Sequence, residues 1–112
     1  MIFHQPVPEL PVPDVAAAMA HYCDCLGFQS AWHREEDGIG AVAHGECAIF
    51  FRRSDLRTPA TFWVYADDID AAHVELTELG ATVTEPPGDK PWGLRKFTVT
   101  ATYGNQLIYH NG

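Results

Sequence analysis

The residues of this 112-residue chain that could do chemistry are six histidines, three cysteines, 15 acidic residues and three tryptophans. The histidines, at positions 4, 21, 33, 44, 73 and 110, show neither His-x-His nor His-Glu-x-x-His spacing, so no local pair reads as metal ligands. His21 and His73 fall beside the apolar stripes of helical segments, where packing is the commoner role. His4 and His110 could meet on neighbouring strands, but two donors do not make a site. Cys23 and Cys25 are two apart in a helical segment and point in different directions, so free thiols are expected. Cys47 follows Glu46, whose charge opposes a thiolate, and no phosphate-cradling glycine loop or Gly-x-Ser-x-Gly is present. No catalytic residue, metal or cofactor is therefore expected. What stands out is stacking chemistry, in Trp32, Trp63, Trp92 and the aromatic residues around them.

Charge and composition narrow the partners. A net charge of -8 repels nucleic acid and anionic membrane and attracts cations. The longest apolar runs, such as Cys47 to Phe51, fall far short of the roughly 18 residues of a membrane helix. The start, Met1-Ile2-Phe3-His4-Gln5-Pro6, has neither a basic n-region nor a continuous apolar core, so a cytoplasmic protein is expected.

The elements that must position these residues are written twice. A helix opens at Asp14, carries Val15, Ala18, Met19, Tyr22 and Leu26 on one stripe, and stops at Gly27. A second opens at Asp67-Asp68, carries Ile69, Ala72, Leu76 and Leu79, and stops at Gly80. Asp14 and Asp67 are 53 residues apart, as are Gly27 and Gly80, which points to an internal duplication. Strands are expected at Val7 to Val12, Phe28 to Arg34, Gly40 to His44 and Cys47 to Arg53. In the second half they are expected at Thr61 to Ala66, Thr82 to Thr84, Lys96 to Ala101 and Gln106 to His110, with a Pro/Gly loop from Pro86 to Gly93. Each half is β-α-β-β-β. The chain is thus one α+β domain over 1–112, with module one at about 1–53, a linker at 54–60 and module two at about 61–112. A unit of about 55 residues buries only a thin core, so two must pair, within a chain or by exchange with a second.

Taken in order, Leu10-Pro11-Val12-Pro13-Asp14-Val15, Tyr22 to Phe28, Ile49-Phe50-Phe51, Tyr65 to Ile69, Leu79-Gly80-Ala81, Pro91 to Phe97 and Gly104-Asn105 resemble the vicinal oxygen chelate superfamily. That superfamily includes glyoxalases, extradiol dioxygenases, and bleomycin- and fosfomycin-resistance proteins. The likeness covers nearly the whole chain and implies two βαβββ modules forming a cupped mixed sheet. The early Leu10-Pro11, the Phe50-Phe51 strand end and the Pro91-Trp92-Gly93 loop look most like the bleomycin-resistance branch. The chain departs from the commoner ending by reading Ala101-Thr102-Tyr103 where the family has Asp-Pro before Gly-Asn.

Enzymes of the superfamily carry a His, Gln or Glu metal ligand on each of four strands. The matching positions fall near Val7, Thr61, Ile108 and either Ile49 or Phe51, none a competent ligand. A slipped register brings only Glu9 or Gln5, and His110, into range. The resemblance then implies an aromatic cup in place of a metal site. Thr61, Trp63 and Tyr65 share the ligand-bearing face of their strand, parity places Ile49 and Phe51 inward, and Trp92 sits on a loop that would cover the mouth. Trp32 is expected to join them, and Glu9, Glu35, Glu36, Asp37, Asp67 and Asp68 would attract a cationic guest.

Bleomycin-resistance proteins are dimers, commonly with exchanged strands, that hold a cationic glycopeptide drug between subunits and break no bonds. The expectation is accordingly a metal-independent homodimer that sequesters a bleomycin-like or other aromatic cationic molecule through Trp32, Phe51, Trp63, Tyr65, Trp92 and Glu9. The alternative is a glyoxalase- or dioxygenase-like lyase or isomerase acting on a small oxygenated substrate, with Glu9, His33 or His110 as base. A metabolic protein with this fold and no drug-related role is a third.

Overall fold

The computed structural model describes residues 1–56 and 58–112; of the expected linker, position 57 lies outside the described residues. Module one runs β1 (Glu9–Val12), α1 (Val15–Leu26), β2 (Gln29–Arg34), β3 (Ile39–His44) and β4 (Cys47–Arg53). Module two runs β5 (Thr61–Tyr65), α2 (Ile69–Leu79), β6 (Thr82–Asp89), β7 (Arg95–Thr100) and β8 (Gln106–His110). Each module contributes one mixed four-stranded sheet, in the orders β1-β4-β3-β2 and β5-β8-β7-β6. The first and last strands of each module pair in parallel and the other neighbours antiparallel, so the duplication extends to topology.

Both helices begin and end as their sequences dictate. The Asp14 side chain accepts a hydrogen bond from the Ala17 N–H at 3.0 Å, and Asp68 does the same for Ala71. The cap of α2 is therefore Asp68, one residue later than Asp67. Gly27 and Gly80 close the helices at φ 75° and 95°, a left-handed conformation that costs any residue with a Cβ.

Strand alternation divides each sheet into a helix-bearing face and an open one. Leu10, Val12, Val42, Ile49 and Phe51 of sheet one, with Phe97, Val99, Leu107 and Tyr109 of sheet two, join the helix stripes in a single hydrophobic core spanning both modules. Burial of each large side chain there stabilises by about 1.5 to 3 kcal/mol. Where α1 lies over β3, Gly40 admits it: a Cβ there would stand 2.5 Å from Met19 Sδ.

The loop expected from Pro86 to Gly93 is mostly strand. β6 continues through Pro86 and Pro87 to Asp89, with register shifts between Val83 and Glu85 and between Glu85 and Gly88. An edge strand tolerates this, because one of its sides makes no ladder bonds and proline's missing N–H is not needed there. The last turn is tied to the linker by Asn105, buried, whose Oδ1 accepts from the Ala60 N–H at 2.9 Å. Among the described residues no helix is long and apolar enough to cross a membrane.

Candidate ligand-binding site

The open face of sheet two carries its chemistry at one corner. The ladder sets Trp63 beside Ile108, Tyr65 beside His110, and His110 beside Lys96. The His110 ring meets Trp63 and Tyr65 edge-on at centroid distances of 5.5 and 5.7 Å. Trp63 is 50% exposed and Tyr65 62%. Rings held by edge contacts and left half or more exposed are suited to stack a planar guest. Lys96 Nζ stands 6.0 Å from the Trp63 ring centroid and donates to Glu85 Oε1. That hydrogen bond holds the Glu85 carboxyl below its ordinary range, so it is a carboxylate near neutrality.

The open face of sheet one is the counterpart. Trp32, 40% exposed, stands edge-on to Phe50 at 5.2 Å. Glu9 is on the same face, but Arg52 holds it with two hydrogen bonds, Nε to Oε1 at 2.9 Å and Nη2 to Oε2 at 3.2 Å. The carboxylate meant to meet a cationic guest is already neutralised by this fork.

The expectation that Phe51 faces the cup is corrected. It pairs with Leu10 and Gly40 on the helix-bearing side, is 0% exposed, and packs edge-on against Tyr22 of α1 at 5.0 Å. Ile49 follows it into the core, and the open-face aromatic of β4 is Phe50. Trp92 stands at the tip of the turn between β6 and β7, where the Lys90 N–H donates to the Leu94 carbonyl at 2.7 Å. There it is 68% exposed and forms no aromatic pair with either open face. Trp63 and Tyr65 are thus brought together, Trp32 and Glu9 occupy the other sheet, and Trp92 stands apart.

Ile108 falls at a position the sequence had marked, whereas Phe50, Lys96 and Glu85 were not singled out by the sequence for these faces. A basic residue inside the strand Arg95 to Thr100 was a usable signal for Lys96, since an internal strand spares no room for an unpaired charge.

The family model for the glyoxalase/bleomycin resistance protein/dioxygenase superfamily matches residues 4–109. The chain belongs to that superfamily. Its fold matches a bleomycin-binding protein from bleomycin-producing Streptomyces verticillus, solved with copper(II)-bleomycin, at 26% identity, TM-score 0.83, and coverage of 100% of this chain and 98% of that one. A bleomycin resistance determinant encoded on the transposon Tn5 superposes with TM-score 0.85 at 19% identity, covering 98% of each chain. TioX from Micromonospora sp. ML1 does so with TM-score 0.83 at 21% identity, covering 96% of this chain and 98% of its own. No curated protein sequence matches the chain.

The superfamily's enzymes use a divalent ion, and the donors here do not fit one. At the corresponding strands the open faces offer Glu9, already bound by Arg52, and His110, on the other sheet, amid Phe50, Trp63 and Ile108. Among the described residues no group of three or more His, Cys, Asp or Glu is disposed to hold a metal ion. A hard cation needs several oxygen or imidazole donors around one point.

Proposed function

We propose that this superfamily member binds and sequesters a bleomycin-like or other aromatic, cationic small molecule in a cleft shared by two copies of the chain. One observation carries the reading: each sheet leaves its open face with an exposed aromatic group, Trp32 with Phe50 on one and Trp63 with Tyr65 on the other. Within one chain these are two half-sites. Opposing the sheet-one face of one copy to the sheet-two face of another turns them into a slot with rings on both walls. Each ring-on-ring stack adds about 0.5 to 1.5 kcal/mol beyond area burial. The net charge of -8 draws a cationic guest at long range, and sequestration needs affinity alone. A bleomycin-binding relative at 26% identity across the whole chain supports the choice of ligand.

The test is calorimetric titration of chelator-treated protein with metal-free bleomycin at several salt concentrations, with tryptophan fluorescence followed alongside. Micromolar or tighter binding that weakens with salt and quenches tryptophan is expected. No heat and no quenching at about millimolar bleomycin, where binding free energy is only about -4 kcal/mol, would discard the drug as ligand.

A further inference from the structure

Between the two modules, along the strand that carries Trp63, lies a cleft of about 980 Å³, lined in part by Trp63 and Tyr65 themselves and in the size range of a small-molecule site. Leu26 and Phe28 at the end of α1, Phe62 on β5 and Leu79 of α2 supply apolar wall. Three carboxylates, Glu46, Asp67 and Glu75, also line it, whereas no lysine or arginine among the described residues does. In a chain with seven basic residues this is a strongly one-signed wall, and low-dielectric surroundings focus its field. The one imidazole, His44, has its Nδ1 turned to the Gly27 carbonyl at 2.9 Å, which fixes it as a donor there.

Tyr109 lines the cleft and is only 6% exposed, yet its hydroxyl has no hydrogen-bond partner. It lies beside the Cys47 thiol, another lining group, and burial raises the pKa of both, so neither ionises near neutrality. A buried, neutral, unpartnered phenol is a costly feature; the Tyr22 hydroxyl of the same core is unpartnered too, but of the two only Tyr109 lines the cleft. Its oxygen can accept from a charged N–H donor.

We propose that this cleft is a second binding site, within one chain, for a lipophilic organic cation: an apolar ring or chain ending in a protonated amine. The apolar body replaces water against Phe28, Phe62 and Leu79. The ammonium meets the Glu46, Asp67 and Glu75 carboxylates, and an N–H donates to the Tyr109 oxygen. An anion of the same shape meets repulsion from the same wall. The site uses no partner copy and, although Trp63 and Tyr65 border it as well, does not rest on the bleomycin reading.

The test uses 1-naphthylmethylamine, protonated at neutral pH, and 1-naphthoate of similar shape, titrated into the whole protein at low salt with backbone-amide NMR. The amine should bind one per chain, shift Phe28, Val64 and Ala72, and bind at least about ten-fold more tightly than the acid. Glu75→Lys should weaken it about five-fold or more, while Glu36→Lys, the same change in net charge away from the cleft, should alter it less than about two-fold. Both positions are exposed, so the variants fold. Equal binding of amine and acid, equal effects of the two variants, shifts confined to Trp32 and Phe50, or no binding would each overturn the proposal. Bleomycin enters none of these arms, so failure of that reading leaves this test intact.

Discussion

Phe50 and Phe51 are consecutive on β4, so the pleat sends them to opposite faces and gives them opposite work. Phe51 fills the core beneath Tyr22, and Phe51→Ala should cost roughly 3 to 5 kcal/mol, read as a large fall in Tm by calorimetry. Phe50 and Trp63 stand on open faces, and Trp63→Ala should leave Tm within a few degrees while weakening ligand binding. A loss of stability comparable to that of Phe51→Ala would return Trp63 to the core. Gly40→Ala is a third case, since its Cβ would press within 2.9 Å of Val15 Cγ1 as well as on Met19. Overpacking of about 1 to 3 kcal/mol is expected, and Met19→Ala in the same chain should relieve part of it. The exposure of Trp63 and Tyr65 was legible because their strand alternates with Phe62 and Val64, which pack on the core. The facing of Phe51 was not, because Cys47 to Phe51 is apolar throughout and alternation is silent there. Only the pairing of Phe50 with Glu9 reveals the parity.

At the scale of elements, caps and stops were readable because they rest on local chemistry: Asp14, Asp68, Gly27 and Gly80 each satisfy or close their own helix turn. β6 was not readable, since prolines mark a loop unless the strand is known to be an edge, and edge position is a property of the sheet. That edge is fastened by side chains. Glu85 is hydrogen-bonded by Lys96, and Arg95 links Asp89 at 3.2 Å to Asp70 of α2 at 2.9 Å. The Glu85 and Asp70 carboxyls are both held below their ordinary values of 4.5 and 3.8, chiefly by these hydrogen bonds. A depressed acid stabilises the fold above its unfolded pKa and loses that contribution as pH falls through its folded one. Tm should therefore drop below about pH 5, and Glu85→Gln should lessen the drop. His21 acts in a higher window. Burial, outweighing the nearby Asp24, lowers its pKa from 6.5, so protonation favours the unfolded chain and Tm should begin to slip below that pH. His21→Gln should remove this part of the slope; an unchanged profile between about pH 5 and 6.5 would show that the imidazole does not contribute.

At the scale of the whole molecule, the core unites the helix-bearing sides of both modules and leaves both aromatic faces uncovered. Met1, Ile2 and Phe3, ahead of β1, are exposed as well. Contiguous exposed apolar surface on a small protein marks a place of association. A self-complementary pairing, sheet one on sheet two, is two-fold symmetric and satisfies both faces of both copies at once. An interface of about 1,600 Å² is the usual size for a stable pair. Sedimentation equilibrium should therefore give twice the 12.4 kDa of the chain at micromolar concentration. Trp32→Asp, which sets a charge on the sheet-one face at its β2 edge, should shift the equilibrium toward monomer and lower affinity for a ligand bound in the shared slot. The cleft along β5 lies within one chain, so binding of the naphthyl amine should survive the same substitution. A wild-type monomer under those conditions would leave Trp32 and Trp63 on separate half-sites and remove the shared slot, with the fold and the inner cleft unaffected.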